Sequence, residues 1–454
     1  MSLMEAIYAH LPVPAQHLAC SLEGYRVQRR RYGPEYDAIL AEYKMRHALS
    51  DPEFAAVRDA RLAAFVRHAA TTTPYYRQLF PELGLVPEDI RGLNDLSALP
   101  VLSRASVQEN VEAFVSDAVP AEQRLTQHTS GTTGAGLVFP TTRKAEREQW
   151  AVWWRYRQHH GITPGTWCGY FGGRSVVQPS RSQPPFWRIN AAGRQVMFSA
   201  YHMAPDNLDS YIDGIRQRKL TWLHGYPSML SLIAARVLET DARFEMPIRH
   251  VTIGAENLTA QQTRLMQSAF GVKPLQHYGM CEAAANISEC KNGCLHVDED
   301  FAAVEFLPQA DGTSQIVGTN FTNPAFPLLR YDVGDLAVPV DGSCDCGLPG
   351  RTVERIDGRS EDYLVLANGA RVGRLDHILK DMVNIRASQF VQEQAGVAAL
   401  RIVRGNHYGP EDETLLAREL ASRLGTGIDI RLEYLDELPR TKSGKIRFVV
   451  SSVS

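Results

Sequence analysis

The chain has 454 residues, of which 44% are hydrophobic and 22% are charged, and its formal net charge is -3. This length is enough for two or more domains, and the near-neutral balance argues against a surface that attracts nucleic acid or an anionic membrane. Residues 1–12 lack the basic and apolar pattern of a secretion leader, and no stretch reaches the ~18 apolar residues of a membrane span. We therefore expect a cytoplasmic protein that binds neither nucleic acid nor a membrane.

The first part of the chain, up to about residue 119, is predicted to be mainly helical. The spacing i, i+3, i+4, i+7 of one buried helical face occurs at Leu62, Phe65, Val66 and Ala69. Thr73-Pro74 is expected to end that helix, because a residue before proline avoids the helical conformation. The run Arg29-Arg30-Arg31 fits an anion-binding patch or a solvated helix face, and we expect the solvated face. No catalytic residue is predicted here.

A stretch rich in serine, threonine and glycine runs from Thr129 to Gly136. Glycines let the backbone approach a ligand and hydroxyls add donors, so this composition suits polyphosphate oxygens; a flexible surface loop is the alternative. A kinase-type P-loop needs Gly-Lys-Ser/Thr after its second glycine, whereas Gly134 is followed by Ala135-Gly136. A P-loop phosphotransferase is therefore disfavoured, and the cation that balances the phosphates must come from elsewhere in the chain.

Predicted strands and helices alternate after this loop. Buried strands are predicted at 220–223 and 250–253, and a helix capped by Ser228 lies between them. Each strand runs into a polar or glycine-containing turn, as in a largely parallel sheet whose ligands bind at the carboxyl ends of the strands. From 295 to 338, short extended segments separated by turns predict a small antiparallel or barrel-like unit.

The predicted fold is therefore α/β and has two domains. Residues 1–357 form a large N-terminal domain with mainly parallel sheets and a small β-barrel-like unit. Residues 358–454 form a small, mobile α+β C-terminal domain, with a helix around 416–424 between two strands. The remaining length after 357 is enough for such a separate unit.

Four further polar stretches carry groups that suit a nucleotide site, although each is weak alone. A carboxylate such as Glu282 beside a phosphate-binding loop is a reasonable Mg²⁺ ligand. The carboxylate of Asp335 can accept hydrogen bonds from both hydroxyls of a ribose. The four stretches are His-Tyr-Gly-Met-Cys-Glu at 277–282, Arg-Tyr-Asp-Val-Gly-Asp at 330–335, Arg-Ser-Glu-Asp at 359–362 and Pro-Arg-Thr-Lys-Ser-Gly-Lys-Ile-Arg at 439–447.

Taken together and in this order, these stretches resemble the motifs of the adenylate-forming superfamily, which includes acyl-CoA synthetases, adenylation domains and luciferases. The resemblance is strongest to its phenylacetate-CoA ligase-like branch, with coenzyme F390 synthetase and the CapK-like proteins of polysaccharide loci. It covers nearly the whole chain. Besides the motifs, it rests on Thr73-Pro74-Tyr75-Tyr76, Leu99-Pro100-Val101-Leu102, His224-Gly225-Tyr226-Pro227-Ser228, Gly254-Ala255-Glu256 and the short C-terminal domain.

The resemblance implies a ligase that uses MgATP to convert a carboxylic acid, which could be aromatic, into an acyl-adenylate with release of pyrophosphate. The acyl group would then pass to CoA or to another small acceptor. Amide or ester formation and AMP transfer to a hydroxyl, as in an F390 synthetase, stay open, and so does a non-catalytic nucleotide-binding scaffold. The resemblance also allows a homodimer.

Residue roles follow from the motif positions. Lys445 would bridge the acyl carboxylate and the phosphate, Glu282 would hold Mg²⁺, and Glu361 would act as the hinge. The residues expected to bind the nucleotide are Thr129, Ser130, Gly131, Thr132, Thr133, Gly134, Ala255, Glu256, His277, Tyr278, Gly279, Met280, Cys281, Asp335 and Arg359. Cys281 replaces the usual Thr or Ser, and Asp332 replaces a common Arg, so neither substrate nor acceptor is fixed by the motifs.

Five of the seven cysteines lie in one segment, from Cys281 to Cys346. Two short loops there, around 290–296 and 344–346, offer the soft ligands that a tetrahedral structural Zn²⁺ needs. From similarity to some members of the branch, the expected ligands are Cys290, His296, Cys344 and Cys346, with Cys294 as a substitute. Unligated thiols and a redox-active Cys-x-Cys pair are the alternatives.

The acyl specificity is only weakly indicated by the sequence. Three aromatic residues could line an apolar pocket for an aryl acid or belong to the core, and two histidines are further candidates. These five residues are Trp222, Tyr226, Phe139, His128 and His224.

Overall fold

The computed structural model describes residues 3–129, 137–255, 258, 260–309, 312–357, 363–372, 375–379, 382, 384–404, 408–436, 438–439 and 449–453. The helices are α1 (Leu3–His10), α2 (Val13–Arg31), α3 (Tyr36–Arg46), α4 (Asp51–Thr72), α5 (Pro74–Glu82), α6 (Arg104–Glu109), α7 (Arg143–His159), α8 (Leu208–Gln217), α9 (Pro227–Glu239), α10 (Ala260–Phe270), α11 (Asp376–Leu379) and α12 (Pro410–Leu424).

The strands are β1 (Arg124–His128), β2 (Val138–Thr142), β3 (Cys168–Phe171), β4 (Trp187–Asn190), β5 (Gln195–Phe198), β6 (Trp222–Gly225), β7 (His250–Ile253), β8 (Leu275–Gly279), β9 (Asn286–Glu289), β10 (Leu295–Val297), β11 (Ala303–Pro308), β12 (Ser314–Thr319), β13 (Tyr331–Val340), β14 (Thr352–Asp357), β15 (Leu364–Val365), β16 (Arg371–Val372), β17 (Ile385–Gln394), β18 (Val397–Arg404), β19 (Asp429–Tyr434) and β20 (Val449–Ser451). No helix in the described ranges is long and apolar enough to cross a bilayer.

A twelve-stranded sheet, in the order β11-β12-β13-β14-β10-β9-β8-β7-β6-β3-β5-β4, forms the centre of the molecule. Strands β8, β7, β6, β3 and β5 are parallel neighbours, and β4 closes that edge antiparallel to β5. Strands β9 to β14 pair antiparallel and continue the sheet through β8. The predicted α/β class is confirmed, and the expected antiparallel unit is hydrogen-bonded to the parallel strands.

Local predictions in the parallel region need small corrections. The strand expected at 220–223 begins at Trp222, and the next helix, α9, follows Tyr226 instead of a Ser228 cap. Pro227 starts this helix because its fixed backbone angle suits the first helical position, where an N–H group would have no partner anyway. The predicted end of α4 at Thr73 is confirmed, and Pro74 begins α5.

Helix α7 is held on one side by a buried ionic network. The guanidinium of Arg155 donates to Asp298 and Asp300 at 2.7 Å and to the carbonyl of Tyr43 at 2.9 Å. The side chain of Arg155 is only 2% exposed, so this pairing compensates a charge that would be costly to bury alone. The acidic run 298–300 is buried. The network therefore fixes the face of α7 that carries Arg155.

Strands after residue 363 form separate sheets, a two-stranded β15-β16 and a four-stranded β19-β18-β17-β20. Their apolar core includes Phe390, Leu400 and Leu416, and it also takes in Tyr201 from the preceding part of the chain. The predicted boundary between 357 and 358 lies beside residues that the structure does not describe, so the two-domain division and the mobility of the second part stay predictions.

Candidate active site and metal centre

A cavity of about 1360 Å³ lies at the carboxyl ends of the parallel strands. Its walls include residues at or near the ends of β3, β6, β7 and β8, namely Phe171, Gly225, Ile253 and Gly279. In open α/β sheets this edge is where ligands bind, because the strands end there and their connecting turns diverge. The cavity is therefore the candidate active site.

The base of the Ser/Thr/Gly-rich loop borders this cavity. Strands β1 and β2 form a hairpin, and Thr129 and Leu137 close it with two hydrogen bonds. The amide of Thr129 donates to the Leu137 carbonyl at 2.9 Å, and the Leu137 amide donates to the Thr129 hydroxyl at 2.8 Å. Both ends of the loop are thus fixed, whereas residues 130–136 lie outside the described part of the chain.

Arg104, at the start of α6, connects this loop base to the second motif. Its Nη2 donates to the hydroxyl of Thr129 at 2.5 Å, and its Nη1 lies 3.6 Å from the carboxylate of Glu282. Both partners are buried. A fixed guanidinium therefore stands where phosphate oxygens would approach the loop. The sequence reasoning missed it, because Arg104 belongs to no motif and lies in the region judged to hold no functional residue.

Two motifs that are 57 residues apart meet through Tyr278 and Asp335. The phenol at the end of β8 donates a 2.7 Å hydrogen bond to the carboxylate on β13. In the same region, Gln149 of α7 donates to the carbonyl of Met280 at 2.9 Å, which ties the helix to the motif. Ala255 has a φ of 69°, a left-handed conformation that turns the backbone sharply after β7.

The histidines of the cavity are neutral near pH 7. Burial, followed by the charge of Arg157, lowers the pKa of His224 to about 3 and the pKa of His277 to about 3. The Nδ1 atom of His224 lies 2.9 Å from the hydroxyl oxygen of Thr252. Neither ring therefore contributes a positive charge to the site.

The aromatic and histidine candidates for acyl binding are only partly brought together. Trp222, Tyr226 and His224 line the cavity. Phe139 does not, because its ring packs against Phe326 at a centroid distance of 5.2 Å within the hydrophobic core. The side chain of His128 is exposed on β1 and is not part of the cavity wall.

The arginine run on α2 is solvated, as expected, only at Arg29. Arg30 and Arg31 both donate to the carboxylate of Glu146, at 2.8 and 3.2 Å, and that side chain is only 3% exposed. The guanidinium of Arg31 also lies 4.1 Å from the ring centre of Trp150. Helix α2 packs along α7, so these arginines compensate a buried carboxylate.

The four expected zinc ligands converge. One ligand atom each from Cys290, His296, Cys344 and Cys346 lies within 4.8 Å of the others. Two sulfurs, of Cys290 and Cys344, are 3.8 Å apart, and the Cys346 sulfur is 3.3 Å from Nε2 of His296. A tetrahedral Zn²⁺ with ~2.3 Å sulfur bonds separates two sulfurs by about 3.8 Å, so the donors fit this ion.

The second nitrogen of His296 supports the same geometry. Its Nδ1 lies 3.2 Å from the carbonyl of Pro349, which favours a proton on Nδ1 and leaves Nε2 available for a metal. Cys294, the substitute ligand, is outside the group of four. A hydrogen bond with Cys344, followed by burial, raises the pKa of Cys294 to about 12.

The chain is similar to known proteins over nearly its whole length. Residues 364–452 match the family described as the CapK C-terminal domain. The chain is 24% identical to protein CapK of Staphylococcus aureus over 99% of this chain and 100% of that protein. It is 24% identical to phenylacetate-coenzyme A ligase of Thermus thermophilus over 92% of this chain and 99% of the ligase. Over nearly its whole length the chain is thus similar to CapK and to a phenylacetate-CoA ligase.

A similar fold is also found among solved structures. A 2-hydroxyisobutyryl-CoA ligase, in complex with its acyl-adenylate and CoA, has a TM-score of 0.57 and 20% identity, with 89% of this chain and 91% of that chain covered. The open conformation of that ligase has a TM-score of 0.52. These similarities concern the fold.

The predicted nucleotide-binding residues divide into two groups. One group lines the cavity: Thr129, Ala255, His277, Tyr278, Gly279, Met280, Cys281, Glu282 and Asp335. The other lies outside the described residues, and its roles stay predictions: Ser130, Gly131, Thr132, Thr133, Gly134, Glu256, Arg359, Glu361 and Lys445.

Proposed function

We propose that the protein is an AMP-forming ligase that activates a carboxylic acid with MgATP and transfers the acyl group to CoA. The strongest support is that three features line one cavity. They are the Tyr278–Asp335 hydrogen bond, the Arg104–Glu282 pair and the base of the Ser/Thr/Gly-rich loop. Groups that suit a ribose, a metal-bound phosphate and a polyphosphate thus face the same space.

The first step joins two anions, so its catalysis depends on positive charge. A carboxylate oxygen attacks the α-phosphate, the bond to the β-phosphate oxygen breaks, and pyrophosphate leaves with that electron pair. When bound, Mg²⁺ neutralises phosphate charge, and the carboxylate of Glu282 at the loop base suits this hard cation. Arg104 supplies a further fixed charge at the loop, and such preorganised charge stabilises a transition state without reorganisation.

Asp335 and Tyr278 are proposed to hold the nucleoside. The Asp335 carboxylate accepts the ribose hydroxyls, and the hydrogen bond from Tyr278 fixes its orientation, while the tyrosine ring covers the adenine. Ala255 and Glu256 are proposed at the adenine edge, and Arg359 near the ribose. Lys445 is proposed to bridge the acyl carboxylate and the α-phosphate, with Glu361 as the hinge about which residues 358–454 turn.

The second step is proposed to be thioester formation. Relatives of this chain are named phenylacetate-CoA ligases, and the related 2-hydroxyisobutyryl-CoA ligase has been solved with CoA. The proposed partners are accordingly small molecules: an acid, ATP and CoA, in the cytoplasm. If the acyl-adenylate persists when CoA is added, the acceptor is another nucleophile, such as an amine or a hydroxyl.

The test is an ATP–pyrophosphate exchange screen over aryl, amino and short-chain acids. At least one acid should support exchange, and adding CoA should consume the acyl-adenylate and release AMP. Lys445→Ala should lose exchange but still transfer the acyl group from a supplied acyl-adenylate, whereas Lys219→Ala, an exposed lysine outside the cavity, should behave as wild type. If Lys445→Ala exchanges as fast as the wild type, the bridging role of Lys445 is wrong. If no acid supports exchange, the non-catalytic scaffold alternative is favoured.

We also propose that Cys290, His296, Cys344 and Cys346 hold a structural Zn²⁺. Cys290 follows β9, His296 lies on β10, and Cys344 and Cys346 lie between β13 and β14. The ion would therefore join the β9–β10 hairpin to the β13–β14 connection. Four protein ligands leave no open position, which is typical of structural sites and not of catalytic ones.

A further inference from the structure

Helix α7 runs along the cavity wall. Residues of one helical face line the cavity, at Gln149, Trp150, Trp153, Trp154 and Arg157. The first of these contacts the carbonyl of Met280, inside the motif that is proposed to bind the nucleotide. Eight residues later on the helix is about 12 Å further along its axis, so Arg157 marks a second, distant position on this wall.

The guanidinium of Arg157 is enclosed by indole rings. Its Cζ lies 5.1 Å from the ring centre of Trp154, 5.4 Å from that of Trp222 and 5.6 Å from that of Trp150. Two of these rings are buried, and the arginine itself is partly buried. Contacts with aromatic faces attract a cation, but they leave its N–H donors unused.

Among the described residues, Arg157 differs from its charged neighbours in having no anionic partner. Within the described residues, its guanidinium has no hydrogen-bond acceptor and no carboxylate within ion-pair distance. Arg155, on the other face of the helix, pairs with two aspartates, and Arg31 pairs with Glu146. A partly buried cation with unsatisfied donors is costly unless an anion completes it.

Among the described residues, no carboxylate of the cavity wall forms an ion pair with Arg157. Glu23 pairs with Arg26 and Glu354 with Arg355, and Asp37 also forms no ion pair with Arg157. Glu146 already accepts from two arginines, Glu282 faces Arg104, and Asp335 accepts from Tyr278. The histidines on β6 and β8 are neutral, as described above. This end of the cavity therefore carries an unused positive charge, presented by a planar group whose paired donors match the two oxygens of a carboxylate.

We propose that Arg157 binds a second anionic group on the acid that is activated, so that the substrate class is a carboxylic acid with an anionic group at its far end. This inference rests on the proposed function of the same cavity. One carboxylate is presented to the α-phosphate, and the other group is held by the guanidinium at the opposite end of the substrate. An acid without this group leaves the donors of Arg157 unpaired, which is how a site built for a polar group rejects an apolar analogue.

The test compares acids that differ only at the far end. Adipate is paired with hexanoate, and para-carboxyphenylacetate with para-methylphenylacetate, in ATP–pyrophosphate exchange with dicarboxylates of other lengths as further probes. For at least one pair, the wild type should prefer the dianion in kcat/KM by about tenfold to a hundredfold, the range expected for a charge-assisted hydrogen bond. Arg157→Gln should abolish this preference by raising the KM for the dianion, with the methyl-terminated partner unaffected.

Two controls separate recognition from a structural role of Arg157. Arg157→Lys keeps the charge and should retain part of the preference, and Arg243→Gln, an exposed arginine outside the cavity, should retain all of it. The methyl-terminated acid reports whether Arg157→Gln is still folded and active. If Arg157→Gln does not fold, the test uses two results: the preference of the wild type for the dianion, and the partial loss of that preference in Arg157→Lys.

A direct binding measurement distinguishes failure of this inference from failure of the proposed function. The same acids are titrated calorimetrically into the protein with a non-hydrolysable ATP analogue. Tighter binding of the dianion that disappears in Arg157→Gln supports the anion site even if exchange is absent, in which case only the ligase function fails. The inference is overturned if the protein shows the same kcat/KM and affinity for both acids of every pair, or if it prefers the methyl-terminated acid. It is also overturned if no dianion binds, or if Arg157→Gln keeps the wild-type preference.

Discussion

Replacing Tyr278 with Phe isolates one contact of the proposed nucleotide site. The change removes only the hydroxyl that donates to Asp335 at 2.7 Å and keeps the ring, so the proposed stacking against adenine is preserved. Without this donor, the Asp335 carboxylate is less well oriented toward the ribose. The expected result is a higher KM for ATP with kcat nearly unchanged.

The magnitude follows from the type and surroundings of the bond. A hydrogen bond to a charged acceptor contributes about 1.5 to 3 kcal/mol. Tyr278 and Asp335 are both only partly buried, so the contribution of their hydrogen bond lies at the lower end of that range. About 1.4 kcal/mol corresponds to a factor of ten, so the KM for ATP should rise by about tenfold. Asp335→Asn, which removes the charge itself, should have a larger effect.

The assay is steady-state exchange with ATP varied at a saturating concentration of the acid. Tyr434→Phe is the matched control, because its hydroxyl also donates to a carboxylate, that of Glu413, but on the surface and outside the cavity. This control should leave the KM for ATP unchanged. The reasoning is refuted if Tyr278→Phe leaves the KM for ATP at the wild-type value, or if it changes the KM for the acid instead.

Three further predictions concern the metal centre, pH dependence and stability. Protein purified without added zinc should contain nearly one zinc per chain by elemental analysis; Cys290→Ser should lose it and Cys294→Ser should not, and wild-type protein without zinc contradicts the assignment. Burial and then the charge of Arg157 lower the pKa of His277 to about 3, so the unfolded state binds more protons below about pH 6.5 and the free energy of unfolding should fall from there toward pH 3. Denaturant unfolding should show a shallower fall for His277→Asn; an identical pH profile would count against a buried neutral ring. Arg155→Met should lower the free energy of unfolding by about 3–5 kcal/mol because two buried aspartates lose their cation, while Arg243→Met should change it little.

Sequence patterns predict the α/β class, and they also predict which of several site residues lie close together. Strand-turn-helix alternation locates the turns after β6 and β7 at the cavity, since parallel strands bring their carboxyl ends to one edge. Cysteine and histidine spacing, together with the family resemblance, predicts the four-residue cluster. The motif positions likewise predict that Tyr278 and Asp335 belong to one site, and the structure brings them within hydrogen-bonding distance.

Long-range charge pairing is what the sequence does not reveal. Arg104 meets Glu282 across 178 positions in the chain, and no local pattern distinguishes it from a surface arginine. The buried acidic run at 298–300 takes its cations from α4 and α7, which are distant in the chain. Arg157 contacts the ring of Trp222, which lies on a different element from α7. Such contacts depend on how helices pack against the sheet.

The central claim, attack of a carboxylate on the α-phosphate of ATP, is tested most directly by an isotope measurement. An acid that supports exchange is labelled with heavy oxygen in its carboxylate and incubated with the protein, ATP, Mg²⁺ and CoA, and the AMP is analysed by mass spectrometry. One labelled oxygen should appear in AMP, because the attacking carboxylate oxygen stays on the phosphorus when the thioester forms. Unlabelled AMP, or release of ADP in place of AMP, would contradict the account.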